Sequence, residues 1–515
     1  MATSSERRIP NDGLEMKDFF PVGRGVGVRG PVAEVNPGER DLGRGATYHI
    51  ETYGCQMNVA DSELVRSILN DRGFSEVQDR DTANILMVNT CSIRDKAERK
   101  VLSKLSSFRK QKLRLRKDRR PIVCVLGCMA ERLKTKLLEE MLLADVVVGP
   151  DAYRDLPRLL SIVRDGDSGA KAYNVQLSLD ETYADLRPVR TSGNGVSAFV
   201  SIMRGCANMC TYCIVPFTRG RERSRPLESI VDEITGLVEA GYKEVVLLGQ
   251  NVNSYNDISS GQSNMSMTYA PGFKTVYRPP KSGRTFSDLV DAVCRISKDL
   301  RVRYTSPHPK DFPQDLIELY KTHRNLPRHI HLPLQSGSDE ILERMRRGYT
   351  RKAFLELVMQ MRSALPDLAL STDIITGFCG ESESDHEDTM RLVKQVEFES
   401  AFVFAYSQRE KTFAARHLED DVPHETKIRR LQEIGEAWKD TAFSRNSKRV
   451  GTVQRVLVEG KSDLKDGSLT GRSEFNTRAF FHSDPSDPEI RPGQFVNVQV
   501  DRATTTTLFG QPVGA

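Results

Sequence analysis

The run Ala198-Phe199-Val200-Ser201-Ile202-Met203 leads straight into Arg204-Gly205-Cys206-Ala207-Asn208-Met209-Cys210-Thr211-Tyr212-Cys213, a predicted strand followed by three cysteines spaced C-x3-C-x2-C. Thiolates this close in sequence can converge on one iron–sulfur cluster. A structural zinc site wants four protein ligands. Here no histidine lies between Cys213 and His308, and the next cysteine, Cys294, falls inside a predicted helix. Three ligands on a four-iron cluster leave one iron open to a small molecule. That open iron suits S-adenosylmethionine, which chelates through its amino and carboxylate groups. An electron from the cluster can then break the sulfonium bond and release a 5′-deoxyadenosyl radical. A zinc knuckle completed from a distance and a redox C-x-x-C are the competing readings.

Outward from this motif, strand–helix alternation continues for about 250 residues. Candidate strands are Ala198 to Met203, Glu244 to Leu248, Val302 to Thr305, His329 to Leu332, Leu368 to Thr372 and Ala401 to Ala405. Six such units predict an incomplete (β/α) barrel, with the cysteine motif at the carboxyl end of its first strand, where barrel active sites lie. Ser254 to Arg284, rich in Ser, Gly, Asn and Pro, reads as a surface insertion. A helical region around Leu431 to Ser444 gives way to short β-rich runs, Val453 to Val458, Arg478 to Phe481 and Gln494 to Val500, which predict a small all-β barrel.

Toward the N-terminus, strands ending at Cys55, Cys91 and Cys128 alternate with helices over Asp61 to Asn70 and from Arg94, and Val146-Val147-Val148 is the next strand. Strands separated by helices predict a parallel α/β sheet. Arg164 to Ser197 reads as a linker. The expected domains are a disordered segment 1–46, an α/β domain 47–165, a partial (β/α)6 barrel 192–445 and a small β-barrel 447–513. Residues 1–46 hold seven basic and seven acidic residues, whereas a mitochondrial presequence is Arg-rich and poor in acids.

Cys55, Cys91 and Cys128 each end a predicted strand of one parallel sheet. The ligand crevice of such sheets lies beyond the carboxyl ends of the strands. Three thiols there can meet on a second cluster, again with one iron free; three ordinary core cysteines is the alternative. Cys124 lies four residues before Cys128, roughly 13 Å away along an extended strand, and reads as core. Cys294 does likewise, and Cys379 as a buried thiol.

The chain has 515 residues, 38% hydrophobic and 28% charged, room for roughly three ordinary domains with real cores. No apolar run approaches the roughly 18 residues of a membrane span. The net charge of +5 is too mild to establish a nucleic-acid partner. Nine cysteines, an odd number, with no secretory signal peptide, read as metal ligands or buried thiols rather than a disulfide framework.

Lys104 to Arg120 carries nine basic residues against Asp118, a candidate for RNA phosphates or simply a solvated helix end. Arg219, Arg221, Arg223 and Arg225 follow the cysteine motif and are candidates for cofactor or substrate phosphate and carboxylate groups. At the strand ends, Gln250, Asn251 and Asn253, His331, Gln335 and Ser336, and Asp373 are candidate cofactor or base contacts, or satisfied structural polar groups. Of these, Gln250, Asn251, Arg219 and Asp373 are the favoured cofactor-binding set.

Together these residues resemble the methylthiotransferase family of radical-SAM enzymes, over about residues 47 to 513. Glu51-Thr52-Tyr53-Gly54-Cys55-Gln56-Met57-Asn58 is similar to the MiaB-type branch that acts on isopentenyladenosine. Gly127-Cys128-Met129-Ala130-Glu131-Arg132, Gly149-Pro150-Asp151-Ala152-Tyr153-Arg154, Thr305-Ser306-Pro307-His308-Pro309-Lys310-Asp311-Phe312-Pro313 and Gly377-Phe378-Cys379-Gly380-Glu381 resemble the eukaryotic mitochondrial group, many of whose members are labelled as associated with a kinase regulatory subunit. Arg409-Glu410-Lys411-Thr412 departs from the Pro-Gly-Thr turn of bacterial members.

The resemblance implies Cys206, Cys210 and Cys213 as ligands of the radical-SAM cluster and Cys55, Cys91 and Cys128 as ligands of an auxiliary one. It also implies two 4Fe-4S clusters and S-adenosyl-L-methionine as cofactors, and a C-terminal RNA-binding barrel of the TRAM type. The implied reaction is transfer of a methylthio group to C2 of N6-isopentenyladenosine beside the anticodon of tRNA. Its implied partners are tRNA, a flavodoxin- or ferredoxin-type electron donor and a sulfur source. A monomer without membrane attachment is expected, mitochondrial by resemblance or else cytoplasmic. Competing functions are the same chemistry on another tRNA adenosine or a protein, and a non-enzymatic regulator of a kinase activator.

Overall fold

The computed structural model describes residues 42–92, 95–116, 119–167, 169–190, 193–259, 273, 283–463, 467–482 and 489–514. Residues 1–41 lie outside that range, and with them most of the segment expected to be disordered. Two compact units emerge: one runs to Val189 and takes in 204–209 and 213–223, and the other holds 190–203, 210–212 and the chain from Ser224 on.

The first unit is a parallel six-stranded sheet in the order β2-β1-β3-β4-β5-β6. Its strands are β1 Thr47–Thr52, β2 Ser75–Glu76, β3 Ile85–Thr90, β4 Ile122–Gly127, β5 Val146–Val148 and β6 Ala172–Asn174. Every residue of β3 is buried, as expected of a strand covered on both faces. Helices Gln56–Asn70 and Leu156–Asp165 pack with Tyr48, Met87 and Leu126 on one face. Helix Asp95–Arg114 contributes Val101, Leu105 and Phe108 to the other.

The linker reading of Arg164 to Ser197 fails. β6 pairs with β5 through Val146↔Ala172, and Tyr183 is buried, donating its hydroxyl to Pro150 O at 3.0 Å. A three-residue strand is too short to register as an alternation in sequence.

The second unit begins with six parallel strands close to those expected, in two sheets of three. One sheet runs Arg301–Tyr304, Glu244–Leu248, Ser197–Ser201, and the other His329–His331, Ala369–Thr376, Ser400–Ala405. Helices including Leu227–Glu239, Phe286–Ile296, Arg351–Ala364 and Glu383–Val396 intervene. The expected insertion is closed at its base by antiparallel pairing of Asn256 with Thr285 and Asp257 with Arg284; most of its interior lies outside the described residues.

Helix His424–Ser447 leads into a closed five-stranded barrel. Its core is Val456, Val458, Ala479, Phe481, Val498, Val500 and Leu508. Two of its strands, Leu469–Arg472 and Thr507–Pro512, escape the sequence reading. Each carries a glycine where backbones crowd: a Cβ on Gly471 would sit 2.2 Å from Leu457 O, and one on Gly510 2.0 Å from Gln499 O. Glycine is the residue that permits such approach, and it also weakens the β signal. No helix among the described residues is long and apolar enough to cross a membrane.

Candidate cluster sites

The register of the first sheet aligns the strand ends. Thr52 of β1 pairs with Asn89 of β3, and Thr90 pairs with Gly127 of β4. Cys91 and Cys128 directly follow the last two, and Cys55 lies three residues beyond β1. Two glycines make the convergence possible. Gly54 has φ +130°, and a Cβ on it would lie 2.5 Å from the Cβ of Cys91; Gly127 has φ +88°, and a Cβ there would lie 2.5 Å from Asn89 Oδ1. Both values fall in backbone territory that side chains disfavour.

Buried Asn58 latches the crevice by donating Nδ2 to Asn89 Oδ1 at 3.2 Å and to Thr90 O at 3.0 Å, while Asn89 Nδ2 donates to Asn58 O at 2.9 Å. A hydrogen bond from the Cys91 thiol holds the Cys55 thiol below its ordinary range, against the effect of burial and with help from the Arg219 charge. Cys55 also caps the N-terminus of helix Gln56–Asn70, where the helix dipole favours an anionic sulfur. Burial pushes the Cys128 thiol up, and Arg219 opposes that.

Arg219 is the junction of this site. It donates Nε to Cys128 Sγ at 3.2 Å and a terminal nitrogen to Asp61 Oδ2 at 2.7 Å. Arg204 holds the other Asp61 oxygen at 3.0 Å and donates to Asp151 Oδ1 at 3.4 Å and Pro150 O at 2.9 Å. Its guanidinium lies 4.9 Å from the Tyr183 ring centroid. Arg223 grips both oxygens of Asp151, at 2.9 and 3.0 Å. Arg225 is likewise committed, to Glu233, Ser229 and Ser201 O. Arg223 and Arg225 are therefore buried structural groups, not phosphate contacts; Arg221 is exposed.

In the cysteine motif, Cys206 N donates to Gly220 O at 3.3 Å, and Asn208 N points at Cys206 Sγ at 3.4 Å. Gly205 has φ +73°, with its Cβ position 2.0 Å from Arg221 O. In the second unit, buried Arg347 donates to Cys210 Sγ at 3.2 Å, to Tyr212 Oη at 3.4 Å and to Pro333 O at 3.3 Å.

The strand-end candidates divide. Asn251 donates to Asp311 Oδ2 at 2.8 Å and accepts from His308 N at 3.2 Å, while Asn253 donates to His308 O at 2.8 Å. These are satisfied loop-building groups. Gln250 is half-buried with a partnerless Oε1. His331 sits 3.3 Å from Asp373 Oδ2 and 2.9 Å from Ser371 Oγ. Beside it, Phe402 is 51% exposed on the residue that pairs with Asp373. Gln335, at φ +69°, donates its N–H to Asp373 O at 2.8 Å. Ser336 Oγ accepts from Ser338 N at 3.2 Å.

Of the basic run, Lys104 pairs with Glu51 at 2.7 Å and Lys112 with Asp145, while Lys110, Arg114, Arg116 and Arg119 are exposed. Lys117 and Asp118 lie outside the described residues.

Sequence reasoning assigned no role to Asn58, Asp61, Asn89, Asp151, Arg204, His308 or Arg347. One signal was available, since Arg204 heads the cysteine motif; Asp61 and Arg66 fall in the predicted helix Asp61 to Asn70, and their burial is visible only in the structure. His308 is buried with Nε2 unpartnered, and burial, Arg347 and Lys310 push its pKa well below the usual histidine range.

Strand-end cysteines on a parallel sheet, six parallel strands opening with a three-cysteine loop, and a closed β-barrel are the arrangement expected of a radical-SAM enzyme with two further domains. Family models agree in the same order: Uncharacterized protein family UPF0004 at 47–149, the Radical SAM superfamily at 200–393 and the TRAM domain at 447–513. The chain is 49% identical to the rat protein named mitochondrial tRNA methylthiotransferase CDK5RAP1, over 92% of this chain and 82% of the relative. It is 46% identical to the tRNA-2-methylthio-N(6)-dimethylallyladenosine synthase of Amoebophilus asiaticus, over 90% and 92%. A radical S-adenosylmethionine methyltransferase from Kitasatospora setae aligns at TM-score 0.48 and 13% identity, over 69% of this chain and 72% of its own. The chain belongs to the radical-SAM tRNA methylthiotransferase family.

Proposed function

We propose that this protein attaches a methylthio group to C2 of N6-isopentenyladenosine in tRNA, using S-adenosylmethionine and 4Fe-4S clusters. The observation that carries the reading is the meeting of Cys55, Cys91 and Cys128 at one crevice beside a buried, incompletely partnered arginine. Two donor sets of three cysteines suit clusters that each keep one iron open, and the partnerless Nη1 of Arg219 suits an anionic group in the crevice. On this reading Cys55, Cys91 and Cys128 hold the auxiliary cluster, and Cys206, Cys210 and Cys213 hold the one that binds S-adenosylmethionine. The first domain would run from 47 past the expected end at 165 to take in Ala172–Asn174 and Tyr183, followed by the barrel domain to 445 and the β-barrel at 447–513.

The C2 hydrogen of a purine is neither acidic nor readily exchanged, so acid–base catalysis has little purchase on it. When bound, the clusters and S-adenosylmethionine supply the electron, the radical and the sulfur that the exchange needs. The chain's own residues supply position and electrostatics. Arg347 places a positive charge against the Cys210 sulfur, and Asn58 and Asn89 fix the spacing of the strand ends. Neutral His308 offers an unprotonated ring beside Arg347. Gln250 and Asp373 keep their place as candidate S-adenosylmethionine contacts; Asn251 instead builds the loop beside Gln250, and Arg219 meets the Cys128 sulfur.

tRNA is the macromolecular partner. On the barrel, Phe480 and Phe509 pair at 5.7 Å between ring centroids, with Arg478 and Arg502 guanidiniums 5.1 and 3.9 Å from those rings. Such an Arg–aromatic stripe suits base stacking and phosphate contact. The names of the relatives support a mitochondrial site of action. A flavodoxin- or ferredoxin-type donor, a separate sulfur source and a monomeric state complete the proposal.

The test is anaerobic reconstitution with iron and sulfide counts, before and after changing Cys55, Cys91 and Cys128 together to alanine, with nucleoside mass spectrometry of isopentenylated tRNA. About eight irons falling to about four, with S-adenosylmethionine cleavage kept and methylthiolation lost, is the expected result. Iron near four and unmoved by the triple change refutes the assignment.

A further inference from the structure

Asp61, Asp151, Arg204, Arg219 and Arg223 form one buried network in the first unit. Their side chains are at most 5% exposed. Three guanidiniums thus face two carboxylates, leaving one positive charge that no carboxylate of the network compensates. Burying an unpaired charge is costly unless an anion answers it. Both Asp151 oxygens are engaged by Arg223, and each Asp61 oxygen is held by a different arginine. The excess falls at Arg219, where Nε already meets Cys128 Sγ and Nη1 has no partner. The arginine that sequence spacing suggested for S-adenosylmethionine is built toward a strand-end sulfur instead.

We propose that Arg219 is a positioning residue for the auxiliary cluster. Its cation balances the anionic Cys128 sulfur and the cluster's negative charge, and its Nε–H is a hydrogen bond to a ligand sulfur that raises the cluster's reduction potential. Asp61 and Arg204 hold Arg219 in that orientation. Hydrogen bonds to ligand sulfurs and nearby charge are the protein's main levers on such potentials. The inference rests on Cys128 being a cluster ligand.

The experiment uses the full-length C206A/C210A/C213A protein, so that one cluster remains, and reads its midpoint potential by titration followed by electron paramagnetic resonance. If that background holds no four-iron signal, the ligand assignment fails, and Arg219's role falls with it before any Arg219 variant is made. If it does, Arg219→Gln should move the potential to more negative values, and Arg219→Lys, which keeps the charge but not the planar fork, should move it less. Where Arg219→Gln does not retain the cluster, Arg219→Lys decides: a shift supports the role, and the unaltered potential overturns it. Both variants titrating like the parent would make Arg219 a structural ion-pair partner only.

Discussion

Replacing Asp61 by asparagine tests the buried network with little change of shape. The wild-type carboxylate accepts from Arg204 at 3.0 Å, Arg219 at 2.7 Å and Tyr153 Oη at 3.3 Å, wholly out of water. The amide keeps one acceptor oxygen, loses the charge and turns an N–H₂ toward a guanidinium. Three buried arginines then face a single carboxylate. Breaking a buried pair from one side costs about 3–5 kcal/mol, and the retained oxygen argues for about 3. That is roughly a hundredfold in the folding equilibrium. The assay is urea unfolding of the metal-free protein under reducing conditions, followed by far-UV circular dichroism. With a slope of about 1–3 kcal/mol per molar urea, the midpoint should fall by about 1 M or more. Burial alone would raise the Asp61 pKa, yet Arg219 and Arg204 hold it below the ordinary carboxylate range. Its contribution is therefore complete above the unfolded pKa of about 3.9 and is lost only as pH falls through the lower folded value. The deficit of the variant should be constant from about pH 5 to 8 and shrink only in stronger acid. A midpoint within about 0.3 M of wild type at pH 7 would refute the claim that this cluster of charges is desolvated and interdependent.

Three further outcomes follow from the same geometry. Gly54→Ala places a Cβ 2.5 Å from that of Cys91 at φ +130°; it should cost about 1–3 kcal/mol and lower auxiliary iron on reconstitution, and full iron with unchanged stability would contradict the convergence of the two loops. Phe509→Ala should weaken tRNA binding by about 1–3 kcal/mol in a filter-binding or anisotropy assay while leaving S-adenosylmethionine cleavage intact; an unchanged affinity removes the barrel stripe from the RNA contacts. His308 is held neutral by burial, Arg347 and Lys310. As pH falls below about 6.5, the unfolded chain takes up a proton that the folded one refuses, so stability drops. His308→Gln should flatten that drop in urea midpoints between pH 7 and 5, and an identical slope would show that His308 is not shielded.

The fold was legible where patterns were long. Six barrel strands and four of the six strands of the first sheet announce themselves by apolar runs, because a strand covered on both faces needs nearly every residue apolar; the two-residue edge strand Ser75–Glu76 does not. Ala172–Asn174, in a run of charged and small residues, carries no such signal, and the barrel strands built around Gly471 and Gly510 lose it to the glycines that backbone crowding requires. The insertion showed itself by composition, and its paired base by nothing at all, since two-residue strands have no periodicity.

The candidate sulfurs could be picked out from sequence, and what surrounds them could not. Cysteine spacing is a local property and strand ends can be found from strands, so both trios could be singled out as candidates, the strand-end one with core cysteines as its alternative until the family resemblance was added. The buried ion network is not local. Arg219 meets Asp61 across 158 positions of chain and Cys128 across 91, and arginine in a polar loop reads by default as a solvent or ligand contact. Only the tertiary structure shows that Arg223 and Arg225 are spent on carboxylates and carbonyls, whereas Arg219 divides itself between Asp61 and the Cys128 sulfur and keeps Nη1 without a partner. A sequence reader looking for phosphate-binding arginines weighs all four alike, yet their roles differ by what each guanidinium meets besides its buried acid. Arg219 shares Asp61 with Arg204 and turns its Nε to the Cys128 sulfur, which sets it apart from Arg223 and Arg225 as the one of the three that reaches the candidate site.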